Sequence, residues 1–178
     1  MGLPEKIVAV HDGLAAAGLP HAFGGALALA WCTGRARGTI DIDVNVFVDA
    51  NHAEAVVAAL PDGVERNARL LAALERDGQV RLWWQRTPVD VFLDSTEYHK
   101  AVAGRVRWET FLDNRIPFLG CHDLAVFNAF FDRTRDWADL EEMVRAGTIE
   151  PGAVAAVLID MLGADDARVS RLLALQPR

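Results

Sequence analysis

A chain of 178 residues with 52% apolar and 24% charged side chains can bury a core of its own without staples. Its net charge of −7 excludes broad, sequence-independent binding of nucleic acid, which needs a positive surface. No apolar run approaches the ~20 residues of a membrane span, and no basic stretch leading into a long apolar run opens the chain, so a cytoplasmic protein without membrane contact is expected. Cys32 and Cys121 fit no metal or redox spacing and are expected as reduced thiols.

In chain order, residues 4–17 read as a helix with Ile7, Val10 and Leu14 on one face. Residues 25–33 read as a short helix entered through Gly24-Gly25, and 41–48 as a strand. Helices are expected over 52–60 and 65–76, each stopped by a Gly-containing turn. "QVRLWWQ" and "VDVFLD" read as two strands broken at Thr87-Pro88. The pattern then weakens to about Gly120, and from His122 it is helical, over 122–132, 136–146, 151–162 and 165–175. The expected class is α/β (α+β), with a mixed sheet core flanked by helices over 1–120. A helical C-terminal part, 121–178, is expected to pack on it as one compact unit.

The chemistry concentrates in the strands. Alternation puts Ile42, Val44 and Val46 on one face and Asp41, Asp43 and Asn45 on the other. The two aspartates then project side by side, roughly 6–7 Å apart. In "VDVFLD", Val89, Val91 and Leu93 face one way, and Asp90 faces the other with Phe92. Like charges this close repel and are costly to desolvate. A divalent cation answers both problems, and magnesium favours carboxylates shared with phosphate oxygens. If the two strands are neighbours, Asp41, Asp43 and Asp90 together can hold two ions about 3.5–4 Å apart, the arrangement that clamps a phosphoryl displacement. Asp90 is also a candidate base for the attacking hydroxyl. Gly24-Gly25 at a helix start suits close approach of a triphosphate to backbone N–H groups.

These residues carry a resemblance. "FGGALALAWCTGRARGTIDIDVNVFV" resembles the signature of the nucleotidyltransferase superfamily, a glycine pair, a helix, Asp-x-Asp, then a third acid on a later strand. It is most similar to the AbiEii/MenT type of toxin nucleotidyltransferase from toxin–antitoxin systems. The likeness extends through "TPVDVFLD" and "DLAVFNAFFDRTRDWADLEEM" and covers residues 20–145. It implies a nucleotidyltransferase-like fold. It implies magnesium-dependent transfer of a nucleoside monophosphate from a nucleoside triphosphate, with two ions and manganese as the alternative. The implied acceptor is the 3′ end of tRNA, whose blockage stops translation, and the implied partner is an antitoxin.

The same likeness makes Gly24, Gly25, Arg35, Arg37, Thr39, Asn128 and Arg133 nucleotide-binding candidates, and Asp41, Asp43, Asp90, Arg135 and Asp139 catalytic ones. Thr39 is in addition a candidate control point, since some relatives are silenced by a kinase-like antitoxin. Asn128 stands where the family usually has lysine, and Arg133 or Arg135 is the substitute cation. The departure leaves open a nucleotide-binding regulatory partner with weakened catalysis, and an enzyme acting on a protein or an aminoglycoside also stays open. Asp136 reads as a capping acid of a helix start, while Asp139 either belongs to that first turn, or orients Arg135 or reaches the metal site. Trp83 and Trp84 point to opposite faces, one of them core and the other a candidate to stack a base, and His99 reads as a solvated loop residue.

Overall fold

The computed structural model describes residues 1–176. In chain order it runs α1 (Leu3–Ala16), β1 (His21–Phe23), α2 (Gly25–Thr33), β2 (Ile42–Val46), α3 (Ala53–Ala59), α4 (Ala68–Asp77), β3 (Gln79–Trp84), β4 (Thr87–Leu93), α5 (Glu97–Val102), β5 (Arg107–Phe111), β6 (Asn114–Phe118), α6 (Cys121–Phe131), α7 (Thr134–Arg145), α8 (Pro151–Leu162) and α9 (Ala167–Leu173). Among the described residues no helix is long and apolar enough to cross a membrane. The chain divides into two compact units. One comprises 1–27 and 38–119; the other comprises 28–37 and the chain from 120 onward.

The first unit is built on a six-stranded mixed sheet of order β3-β4-β2-β1-β6-β5. At its centre β2 and β4 run parallel, with Ile42 against Val89 and Val44 against Val91. All four side chains are fully buried, which is why this register wins: a slip of one residue would turn the apolar faces outward. β3 returns antiparallel to β4 through the turn at Gln85, whose φ is 58°. Lys6 of α1 donates from Nζ to the carbonyl of Trp84 at 2.9 Å and to Thr87 Oγ1 at 3.0 Å, tying the helix to that turn. β1, β5 and β6 escape the sequence pattern. β1 is three residues long. β5 and β6 are joined through Leu112 and Asp113, both at positive φ without a glycine, and β6 contains Pro117.

The second unit is helical, with α6 packed on α7 and α8, and α8 on α9. Here one expectation is corrected: Cys32 and Cys121 are joined in a disulfide across 89 residues of chain. No spacing rule reveals such a pair, because the end of α2 meets the start of α6 only in three dimensions. A second correction concerns His99, which lies buried in α5 with its ring edge-on to Phe47 rather than in solvent.

Two stability measurements follow from these features. The bridge should contribute about 3–5 kcal/mol by restricting the unfolded chain. Cys32→Ser should therefore lower the urea unfolding midpoint, and a reductant should do the same to the parent but not to the variant. Burial also pushes both His21 and His99 down from 6.5 to about 4. The unfolded chain then binds protons that the folded one refuses. Stability is full above pH ~6.5 and is lost as pH falls from there toward ~4. Urea titrations over that range should show stability falling with pH, less steeply in His99→Phe.

Candidate active site

The register that builds the core also decides where the carboxylates fall. With Ile42 on Val89 and Val44 on Val91, Asp43 lies directly opposite Asp90 on the neighbouring parallel strand. Asp41 precedes β2 by one residue and is partly exposed. The glycine turn is tied to the same strand, since Gly24 N donates to Asp43 O at 2.9 Å. Gly25 starts α2 at φ 52°, and a Cβ there would collide with the Asp43 carboxylate, coming 2.7 Å from its Cγ. Only glycine allows that approach. α2 has no acidic residue in its first turn, so Asp43 supplies the negative charge that its N-terminal dipole favours. Thr39 Oγ1 accepts from Asp41 N at 3.1 Å, which fixes the entry to β2.

A residue that the sequence reading passed over completes this cluster. Arg81 on β3 lies opposite Asp90 in the hairpin register. Its Nε donates to Asp90 Oδ1 and its Nη2 to Oδ2, both at 2.7 Å. The same Nη2 stands 4.0 Å from Asp41 Oδ2. The hydrogen bonds to Asp90 hold the guanidinium above its ordinary pKa. Among the described residues no group of three or more His, Cys, Asp or Glu side chains stands ready to hold a metal. The geometry explains this: both Asp90 oxygens are engaged by Arg81, and the Asp43 carboxylate lies against Gly25. As chemistry the donor set fits a hard divalent cation, with Asp43 and Asp90 on adjoining strands, Asp41 just before the first of them, and the Asp41 side chain 24% exposed. The signal for Arg81 was in the sequence. Placing the hairpin turn at Gln85-Arg86 rather than at Thr87-Pro88 pairs residue 81 with residue 90.

The second unit holds the remaining candidates. Arg37 Nη2 donates to Asp139 Oδ2 at 2.8 Å, and Asp139 is buried on α7. Burial raises the Asp139 pKa, while Arg37 and Arg135 pull it back. Arg37 Nε and Asn128 Nδ2 are buried without a hydrogen-bond partner. Arg35 and Arg135 are exposed. Arg133 caps α7: its backbone N–H and Nε both donate to Asp136 Oδ2, at 3.1 and 2.8 Å. Asp136 is therefore a capping acid, and Arg133 is already engaged. In the first unit Trp84 is core and Trp83 is 43% exposed.

No family model matches the chain, and no curated protein does. Solved structures do resemble it. The antibiotic-resistance factor ANT(2'')-Ia aligns with a TM-score of 0.58 at 15% identity, over 97% of this chain and 94% of that one. The lincomycin-bound lincosamide antibiotic adenylyltransferase LnuA aligns at 0.54 and 16% identity, over 80% of this chain and 96% of that one. An antigenic nucleotidyltransferase-like protein from Paracoccidioides brasiliensis aligns at 0.52 and 12% identity, over 97% and 93%. At such identities the likeness is one of fold, and the fold is nucleotidyltransferase-like: a mixed sheet flanked by helices.

The glycine turn yields a direct test. Gly25→Ala must displace the Asp43 carboxylate and place a Cβ at positive φ, which costs about 1–2 kcal/mol. The urea midpoint should fall accordingly. Gly24→Ala, at a negative-φ position whose Cβ would meet Asn45 Nδ2 at 3.1 Å, should be the milder change in the same assay.

Proposed function

We propose that the protein is a magnesium-dependent nucleotidyltransferase that moves a nucleoside monophosphate from a nucleoside triphosphate to an acceptor hydroxyl. One observation carries this reading: Asp43 and Asp90 directly opposed on parallel strands, with the Gly24-Gly25 entry to α2 bonded to the same strand. Asp41, Asp43 and Asp90 would hold the magnesium, with manganese as the alternative, and the metal supplies charge neutralisation at the triphosphate. The backbone at Gly24-Gly25 receives phosphate oxygens at the start of α2. The acceptor oxygen bonds to the α-phosphorus, the bond from that phosphorus to the bridging oxygen breaks, and pyrophosphate leaves. Asp90 takes the hydroxyl proton once its carboxylate is free of Arg81. In the second unit, Arg37 Nε and Asn128 Nδ2 are donors without partners, and the resemblance makes both residues nucleotide-binding candidates. Arg35, Arg133, Arg135 and Asp139 take supporting roles.

For the acceptor, the resemblance to AbiEii/MenT toxins implies the 3′ end of tRNA, and with it inhibition of translation, an antitoxin partner and control at Thr39. A second reading, transfer to the hydroxyl of a small antibiotic, is favoured by two observations. The net charge is −7, and two of the similar structures are an antibiotic-resistance factor and a lincosamide adenylyltransferase.

Incubation with each α-labelled nucleoside triphosphate, magnesium and, in parallel, total tRNA, an aminoglycoside and a lincosamide separates these readings. Label on tRNA identifies the first acceptor, and label on an antibiotic the second. Asp43→Asn should reduce transfer well beyond the roughly 10–100-fold typical of losing an outer-sphere partner, while stability falls by no more than the ~0.3–1 kcal/mol that a charge at a helix start contributes. Nucleotide binding without transfer to any acceptor would overturn the enzymatic reading in favour of a nucleotide-binding partner.

A further inference from the structure

The carboxylate cluster already contains a cation, and it belongs to the protein. Arg81 reaches across from β3 and grips both oxygens of Asp90 at 2.7 Å. Two parallel N–H···O bonds to one carboxylate are the strongest form of this pairing. The same Nη2 stands 4.0 Å from Asp41 Oδ2. Asp41 and Asp90 are two of the residues that would hold the metal, and the guanidinium already stands against both. Guanidinium cannot lose its charge by deprotonation in a protein. It can only move away, and its side chain is 52% exposed, so the way out is through solvent and needs no change in the sheet.

We infer that Arg81 occupies the cation seat between Asp41 and Asp90, so that a divalent metal binds there only by displacing its guanidinium. This rests on the magnesium reading of the same carboxylates. Arg81 is a positioning residue: it holds Asp90 in place and neutralises the cluster while no metal is bound. While the guanidinium stays, its charge repels a divalent ion, and to move away it must give up both hydrogen bonds to Asp90. The nucleotide-free protein consequently takes metal poorly, and Asp90 becomes a ligand or a base only after the fork opens.

The test is Mn2+ binding to the nucleotide-free full chain, followed by electron paramagnetic resonance. Arg81→Gln should bind Mn2+ at least about tenfold more tightly than the parent. Adding Asp90→Asn to Arg81→Gln should return affinity to within about threefold of the parent, because the gain acts through Asp90. Arg76→Gln, which removes an equal charge from the exposed Arg76–Asp77 pair, should leave binding unchanged. If Arg81→Gln does not fold, Arg81→Lys, which keeps the charge and loses the fork, should still tighten binding measurably. Equal or weaker binding by the Arg81 variants, with the parent binding Mn2+, overturns the role of Arg81 and leaves the metal site standing. No Mn2+ binding by any of these proteins, with or without a non-hydrolysable nucleoside triphosphate, overturns the metal site and the inference together.

Discussion

The central constraint is that one register serves two opposed demands. β2 and β4 must align Ile42 with Val89 and Val44 with Val91 to close the core, and that alignment forces Asp43 onto Asp90. The apolar gain of four fully buried branched side chains, roughly 1.5–3 kcal/mol each, holds like charges together that would otherwise separate. Each carboxylate then needs its own relief. Asp90 has the Arg81 fork, Asp43 has the start of α2, and Asp41 keeps contact with solvent. The glycine at 25 follows from the second of these, because any Cβ there would push the carboxylate away from the helix end.

This arrangement sorts what the sequence could disclose from what it could not. Alternation in "IDVNV" and "VDVFL" exposes both the core face and the charged face, since β2 and β4 are flanked on both sides and their apolar residues recur at period two. α2 and α8 begin and end where glycine and proline punctuation places them. The outer strands carry no such signal. β5 and β6 turn through Leu112-Asp113 at positive φ, where the familiar marker is Asn-Gly or Asp-Gly. Pro88 in β4 and Pro117 in β6 read as interruptions, and the first of them hid the true turn of the β3–β4 hairpin. With that turn misplaced by two residues, the pairing of Arg81 with Asp90 was lost. The disulfide and the burial of His99 are tertiary facts with no local pattern at all.

The second unit poses the complementary problem, donors rather than acceptors left to be satisfied. A buried N–H without a partner costs about 1–3 kcal/mol, and native structures keep such atoms mostly where a ligand, an ion or strain accounts for them. Asn128 Nδ2 and Arg37 Nε are two of them within one small helical unit. The contrast with a lysine at position 128 is instructive. An ammonium on this buried stretch of α6 would carry a full charge into low dielectric and require a counter-ion. An amide carries none, and its open N–H costs less while it waits for an acceptor. Arg133 is committed to Asp136, while Arg135 stands exposed and helps to lower the Asp139 pKa against its burial. In each unit a sheltered carboxylate keeps an opposite charge within reach, Arg81 for Asp90 and Arg37 for Asp139.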